Sequence, residues 1–74
     1  MSMKLTNTQI AILIYLESRN QAVKYKDVAQ HTGMHYTIVE YNAPILEDAG
    51  LLRIYRVGNG FRPPTKMLRI VKNK

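Results

Sequence analysis

At Gly50 the spacing of apolar residues changes from helical to alternating, and no all-α or all-β fold accommodates both halves. Before it, Val39, Ala43 and Leu46 recur at i, i+4 and i+7, which places them on one helix face. After it, Leu52, Ile54 and Arg56 fall on one side of a strand, and Arg53, Tyr55 and Val57 on the other. The chain therefore reads as α+β, three helices followed by a two-stranded hairpin. At 74 residues it is expected to be a single domain over 1–74, near the lower size limit for independent folding.

Punctuation divides the helical part. Thr6-Asn7-Thr8-Gln9 fits a capping box, and Ile10, Leu13, Ile14 and Glu17 follow at helical spacing, with Ala11 and Leu16 widening the apolar face. Helix one is expected over about 7–18. Ala22 to Tyr25 make a short, extended connection with Val23 and Tyr25 turned inward. Helix two, about 26–32, carries Asp27 in its first turn, where the dipole favours an acid, and Gly33 ends it as a left-handed residue. Helix three is expected over about 35–49, closed by Gly50. Strands are predicted over about 52–57 and 65–71, joined through Gly58-Asn59-Gly60. Pro63-Pro64 cannot sit in a central strand, so that part of the return stays extended and solvated. Asn73-Lys74 should fray.

Charge divides the chain at the same place. Residues 1–50 hold four basic side chains (Lys4, Arg19, Lys24, Lys26) against five acidic ones. Residues 51–74 hold seven (Arg53, Arg56, Arg62, Lys66, Arg69, Lys72, Lys74) and no acid, so the net charge of +6 belongs to the last third. Scattered cations serve solubility. Seven without an interspersed anion repel one another, and a polyanion relieves that repulsion by exchanging its counterions for them. Nucleic acid is the indicated partner. A membrane surface fits less well, because the basic segment reads as strand rather than amphipathic helix.

Other chemistry finds little support. There is no Cys, which excludes disulfides, thiolate metal sites and cysteine catalysis. The longest apolar run, Ile10 to Leu16, is seven residues, against the roughly 20 of a membrane span. It reads as a buried helix in a cytoplasmic protein. Ser2 and Ser18 are the only serines, at a terminus and a helix end, so no Ser-His-Asp arrangement forms. Glu47 and Asp48 diverge on their helix and make no catalytic pair. His31 and His35 are separated by the turn at Gly33 and read as a surface residue and a helix cap rather than zinc ligands. Neither an enzyme, a metal, a cofactor nor a small-molecule ligand is expected.

The stretch Val28-Ala29-Gln30-His31-Thr32-Gly33-Met34-His35-Tyr36-Thr37-Ile38-Val39 resembles the helix-turn-helix core of winged-helix transcription regulators of bacterial, archaeal and viral type. Leu46-Glu47-Asp48-Ala49-Gly50-Leu51-Leu52 resembles the way those proteins leave the third helix and enter the first wing strand. The resemblance covers about residues 6–71. It implies a winged helix-turn-helix fold and a DNA-binding regulator, with helix three in the major groove of double-stranded DNA and the wing on the backbone or in the minor groove. It also implies a homodimer on a palindromic site, for which helix one and the C-terminal strand are the candidate surfaces. Carried over by position, the cap falls on His35 and the outward positions of helix three on Tyr36, Thr37, Glu40, Tyr41 and Pro44. The wing contacts fall on Arg53, Arg56, Asn59, Arg62 and Lys66.

Two features depart from that pattern. Helix three has no Lys or Arg between His35 and Asp48. Tyr36, Thr37 and Tyr41 can hydrogen-bond phosphates or base edges, or Tyr36 and Tyr41 are half-buried aromatics; Glu40 can accept from a cytosine amine but repels phosphate. Pro44 falls mid-helix, where it removes one backbone bond and crowds the Glu40 carbonyl, so the helix should kink there or break and restart. Electrostatic affinity is therefore assigned to the wing, and modest discrimination to helix three. Two alternatives stand beside this reading. One is a protein-interaction winged helix using Tyr36, Tyr41 and Pro44. The other is a single-strand or RNA binder stacking bases on Tyr55 and Phe61 beside Arg53 and Arg62.

Overall fold

The computed structural model describes residues 4–58, 60, 61 and 63–72. Their order is α1 (Asn7–Arg19), β1 (Val23–Lys24), α2 (Tyr25–Thr32), α3 (Tyr36–Asp48), β2 (Leu52–Val57) and β3 (Thr65–Ile70). The sheet is antiparallel with strand order β1-β3-β2. The hairpin is thus two strands of three. The short connection before α2 lends a third, Val23 opposite Leu68 and Lys24 opposite Met67.

Each helix begins and ends for a local reason. The Thr6 hydroxyl accepts from the Gln9 amide at 3.1 Å, and the Gln9 side chain accepts from the Thr6 amide at 3.1 Å, which completes the capping box. Asn20 ends α1 in the left-handed region at φ 53°, and Gly33 ends α2 at φ 73°. After α3, the Gly50 amide donates to the Glu47 carbonyl and the Leu51 amide to the Leu46 carbonyl. This is a Schellman closure, with Gly50 at φ 79° and Leu51 packed back on the core. Pro44 neither splits α3 nor ends it: the helix is a single element from Tyr36 to Asp48. Pro44 lies on the exposed side of the helix.

The core comprises Ile12 and Leu16 of α1, Val28 of α2, Val39, Ala43 and Leu46 of α3, Leu52 of β2 and Leu68 of β3, with Val23, Tyr25 and Ala29 beside them. The face of α1 differs from expectation. Ile12 and Leu16 are fully buried, whereas Ile10 and Ile14 remain 39% and 63% exposed. The apolar run covers the helix on all sides, so spacing alone does not choose the inner face. A buried polar pair fixes it: the Gln9 side-chain amide donates to Asn42 Oδ1 at 3.2 Å, and Asn42 Nδ2 donates to the Ile38 carbonyl at 2.8 Å. One turn on from Gln9, Ile12 faces inward as well.

Strands β2 and β3 pair from Leu52 opposite Ile70 to Val57 opposite Thr65. The return pairs only from Thr65, because Pro63 and Pro64 have no amide to donate. The connection is accordingly longer than a two-residue Asn-Gly turn. Asn59 and Arg62, named above as wing contacts, lie outside the described residues, as do Asn73 and Lys74. The free edge of β2 is met by α3: the Ile54 amide donates to Glu47 Oε2 at 3.0 Å.

Candidate nucleic-acid interface

Buried Val39, Asn42, Ala43 and Leu46 hold one side of α3 against the core and turn the other outward. The outward side carries Tyr36 (39% exposed), Thr37, Tyr41 (72% exposed) and Pro44. Glu40 lies between the two sides, half-buried. His35 occupies the N-cap position with an extended backbone but makes no capping bond. Its Nδ1 instead lies 3.1 Å from the Thr37 hydroxyl.

The wing reaches this helix through one of its two faces. Residues paired across antiparallel strands share a face. Arg56 and Lys66 are paired, and they stand on the same side as Leu52, Ile54 and Leu68, the side packed by helices. They emerge where the core ends, beside α3. Lys66 Nζ lies 3.7 Å from Glu40 Oε2 and 5.9 Å from the centre of the Tyr25 ring. The Tyr25 and Tyr36 rings stand 6.0 Å apart, tilted by 44°. Arg53 is placed differently. It pairs with Arg69 on the opposite face of the sheet and lines a recess with Glu47 and Gly50 at the C-terminal end of α3, away from Tyr36 and Tyr41.

A recess of about 330 Å³ joins these elements, walled by Lys24, Tyr25, Lys26, Tyr36, Pro64, Thr65 and Lys66. Lys24 and Lys26 were not among the expected site residues, because the first fifty residues carry no net positive charge. The signal was nevertheless present in the Lys24-Tyr25-Lys26 triplet ahead of the helix-turn-helix core. Burial holds the Tyr25 phenol above its usual range near 10, although the nearby Arg56 guanidinium pulls it down; Tyr36, Glu47 and Glu40 add to the rise. Tyr25 is thus a neutral hydroxyl at neutral pH. It lies near both Lys66 and Arg56 and cancels neither charge.

Elsewhere, the Tyr15 and His31 rings stack at 4.2 Å and 23° between α1 and α2, beside Arg19 and Asp27. Among the described residues no group of three or more His, Cys, Asp or Glu side chains is placed to hold a metal ion. Among them, too, no helix is long and apolar enough to cross a membrane.

No protein-family profile matches the sequence, and no curated protein sequence does. Solved structures do match the fold. A possible transcriptional regulator from Methanosarcina mazei Go1 superposes with a TM-score of 0.81 at 9% identity, over 92% of this chain and 57% of that one. The antimony-specific transcriptional repressor AntR superposes at 0.74 with 27% identity, over 90% of this chain and 55% of its own. ZitR of Lactococcus lactis, a zinc-responsive MarR family member, superposes at 0.74 with 21% identity, over 97% and 47%. This chain therefore has the winged helix-turn-helix fold, with α2 and α3 as the helix pair and β2–β3 as the wing. It spans about half the length of these solved chains.

Proposed function

We propose that this chain is the DNA-binding unit of a transcription regulator and not an enzyme. In this reading α3 enters the major groove of duplex DNA, with Tyr36, Thr37 and Tyr41 toward base edges and His35 at the groove margin. The observation that carries it is the placement of Arg56 and Lys66 on the inner face of the wing beside α3, with Lys66 Nζ 3.7 Å from Glu40 Oε2 and Lys26 in the recess that Lys66 and Tyr36 help to wall. Phosphate contacts position such a protein and base contacts specify its site, and here the two sets of side chains are adjacent but distinct. Three solved proteins of the same fold, each described as a transcriptional regulator, repressor or MarR family member, support the same role. Asn59 and Arg62 are assigned to the wing tip on the strength of the sequence.

Glu40 also finds a place in this reading. Its ion pair with Lys66 removes the free carboxylate that would face phosphate. A second copy of the chain is proposed to pair through α1 and the C-terminal strand. There, Leu5, Ile10, Leu13, Ile14, Leu51, Ile70 and Val71 leave an apolar recess of about 280 Å³.

Titration of labelled duplex DNA at several salt concentrations, with random duplex as competitor, tests the proposal. Reversing charge at Arg56 and Lys66 together should weaken binding to all sequences. It should also flatten the log-log salt dependence by about one unit per lost phosphate contact. An unchanged slope rejects the wing's part. Absence of any competitor-resistant duplex rejects the regulator.

A further inference from the structure

The face of the sheet turned away from α3 has no part in that function, and it is not an ordinary solvated face. Pairing places Arg53 opposite Arg69, Tyr55 opposite Met67 and Val57 opposite Thr65, all on this side, and Lys24 of β1 joins them opposite Met67 from the other edge. Tyr55 is 41% exposed and Val57 57%, and both arginines are exposed. Like charges directly opposite one another destabilise a strand pair. No strand of this sheet carries an acid to offset them, and Glu47 of α3, which lines a recess with Arg53, has a carboxylate oxygen already accepting from the Ile54 amide. The one ion pair among the described residues, Lys66–Glu40, lies at the other face.

We propose that this outer face is a second nucleic-acid surface, one that takes a single strand. Two observations select that ligand. The paired arginines leave a positive potential that an anion relieves. One step along β2, two residues or about 7 Å from Arg53, the Tyr55 ring is open to a stacking partner. A base turned out from an unpaired strand can lie on that ring while its phosphates run beside Arg53 and Arg69. In a duplex the base faces are already stacked on one another and closed to the Tyr55 ring. A stacking surface of this kind selects unpaired over paired nucleic acid and tolerates any base sequence.

Because the duplex-facing cations and these residues occupy opposite faces of one hairpin, the two activities separate by mutation. Fluorescence anisotropy with the full chain would use labelled oligo-dT, oligo-U and a duplex at low salt. The Arg53→Ala/Arg69→Ala pair and, separately, Tyr55→Leu should each weaken oligo-dT binding about tenfold and leave duplex binding unchanged. Tyr55→Phe keeps the ring and should retain binding. Arg56→Ala/Lys66→Ala should do the reverse, and the midpoint of thermal unfolding identifies any variant that loses binding by unfolding. Comparison of oligo-dT with oligo-U reports whether DNA or RNA is preferred. Equal loss of duplex and single-strand binding in the outer-face variants overturns the proposal. So does equal binding of polyglutamate and oligo-dT, which would mark an unselective anion surface. If the wild-type chain ignores duplex but binds oligo-dT through Tyr55, the regulator reading fails and this one stands.

Discussion

Glu40 is the acid of α3 that pairs with the wing, and that partner decides what it does. Glu40 and Lys66 are each about two-fifths exposed, so their pair contributes at most a few tenths of a kcal/mol to stability. In the proposed duplex complex its larger effect is on binding, because Lys66 cannot serve Glu40 and a phosphate at full strength together. Glu40→Gln should therefore tighten duplex binding and steepen the salt dependence by about one unit, as read in a salt titration. A weaker affinity confined to the preferred sequence would instead make Glu40 a base reader. Tyr25 yields a pH prediction. Its folded pKa lies above the ordinary value of 10.0, so the unfolded chain releases the proton first as pH rises. The stability tied to its proton is complete below pH 10.0 and falls as pH climbs from there toward the folded value. Tyr25→Phe should flatten that alkaline fall in urea midpoints while changing little at neutral pH.

Helices and strands differed in how far local spacing could define them. The capping box, the two glycine stops and the spans of the two wing strands were readable because each depends on residues within a few positions of one another. The inner face of α1 was not, since an all-round apolar helix offers several faces of similar merit and the choice falls to Gln9 and Asn42, 33 residues apart. Two-residue β1 was equally silent, because only the nearness of Leu68 and Met67 makes it a strand. The parity of Arg53 and Arg56 was legible. Which face met α3 was not, and the family likeness placed both arginines on DNA. The buried Gln9–Asn42 bond invites a test at this scale, because it seats α3 on α1. Asn42→Ala leaves the Gln9 amide short of a partner and should cost about 2 kcal/mol in chemical denaturation. Joint replacement, Gln9→Met with Asn42→Leu, removes both polar groups and should recover most of that loss.

At the scale of the whole molecule, the proposed functions are divided by direction. α3, the recess and the inner side of the wing point one way, the outer sheet face another, and the apolar recess by α1 lies at the hairpin's base. Ile14, 63% exposed beside that recess, is the natural probe of self-association. Ile14→Asp should give a monomer in sedimentation equilibrium and leave the fold intact, since the side chain is outside the core. It should also weaken binding to a palindromic site far more than to a half-site. A wild-type chain that sediments as a monomer at high concentration removes the dimer. The bond from the Ile54 amide to Glu47 bears on the same question. Strand β2 is the open border of a short sheet, the kind of border onto which a neighbour's strand can zip. With a carboxylate already seated on one of its outward amides, that route to runaway fibre growth is obstructed, and self-recognition is left to side chains rather than to backbone.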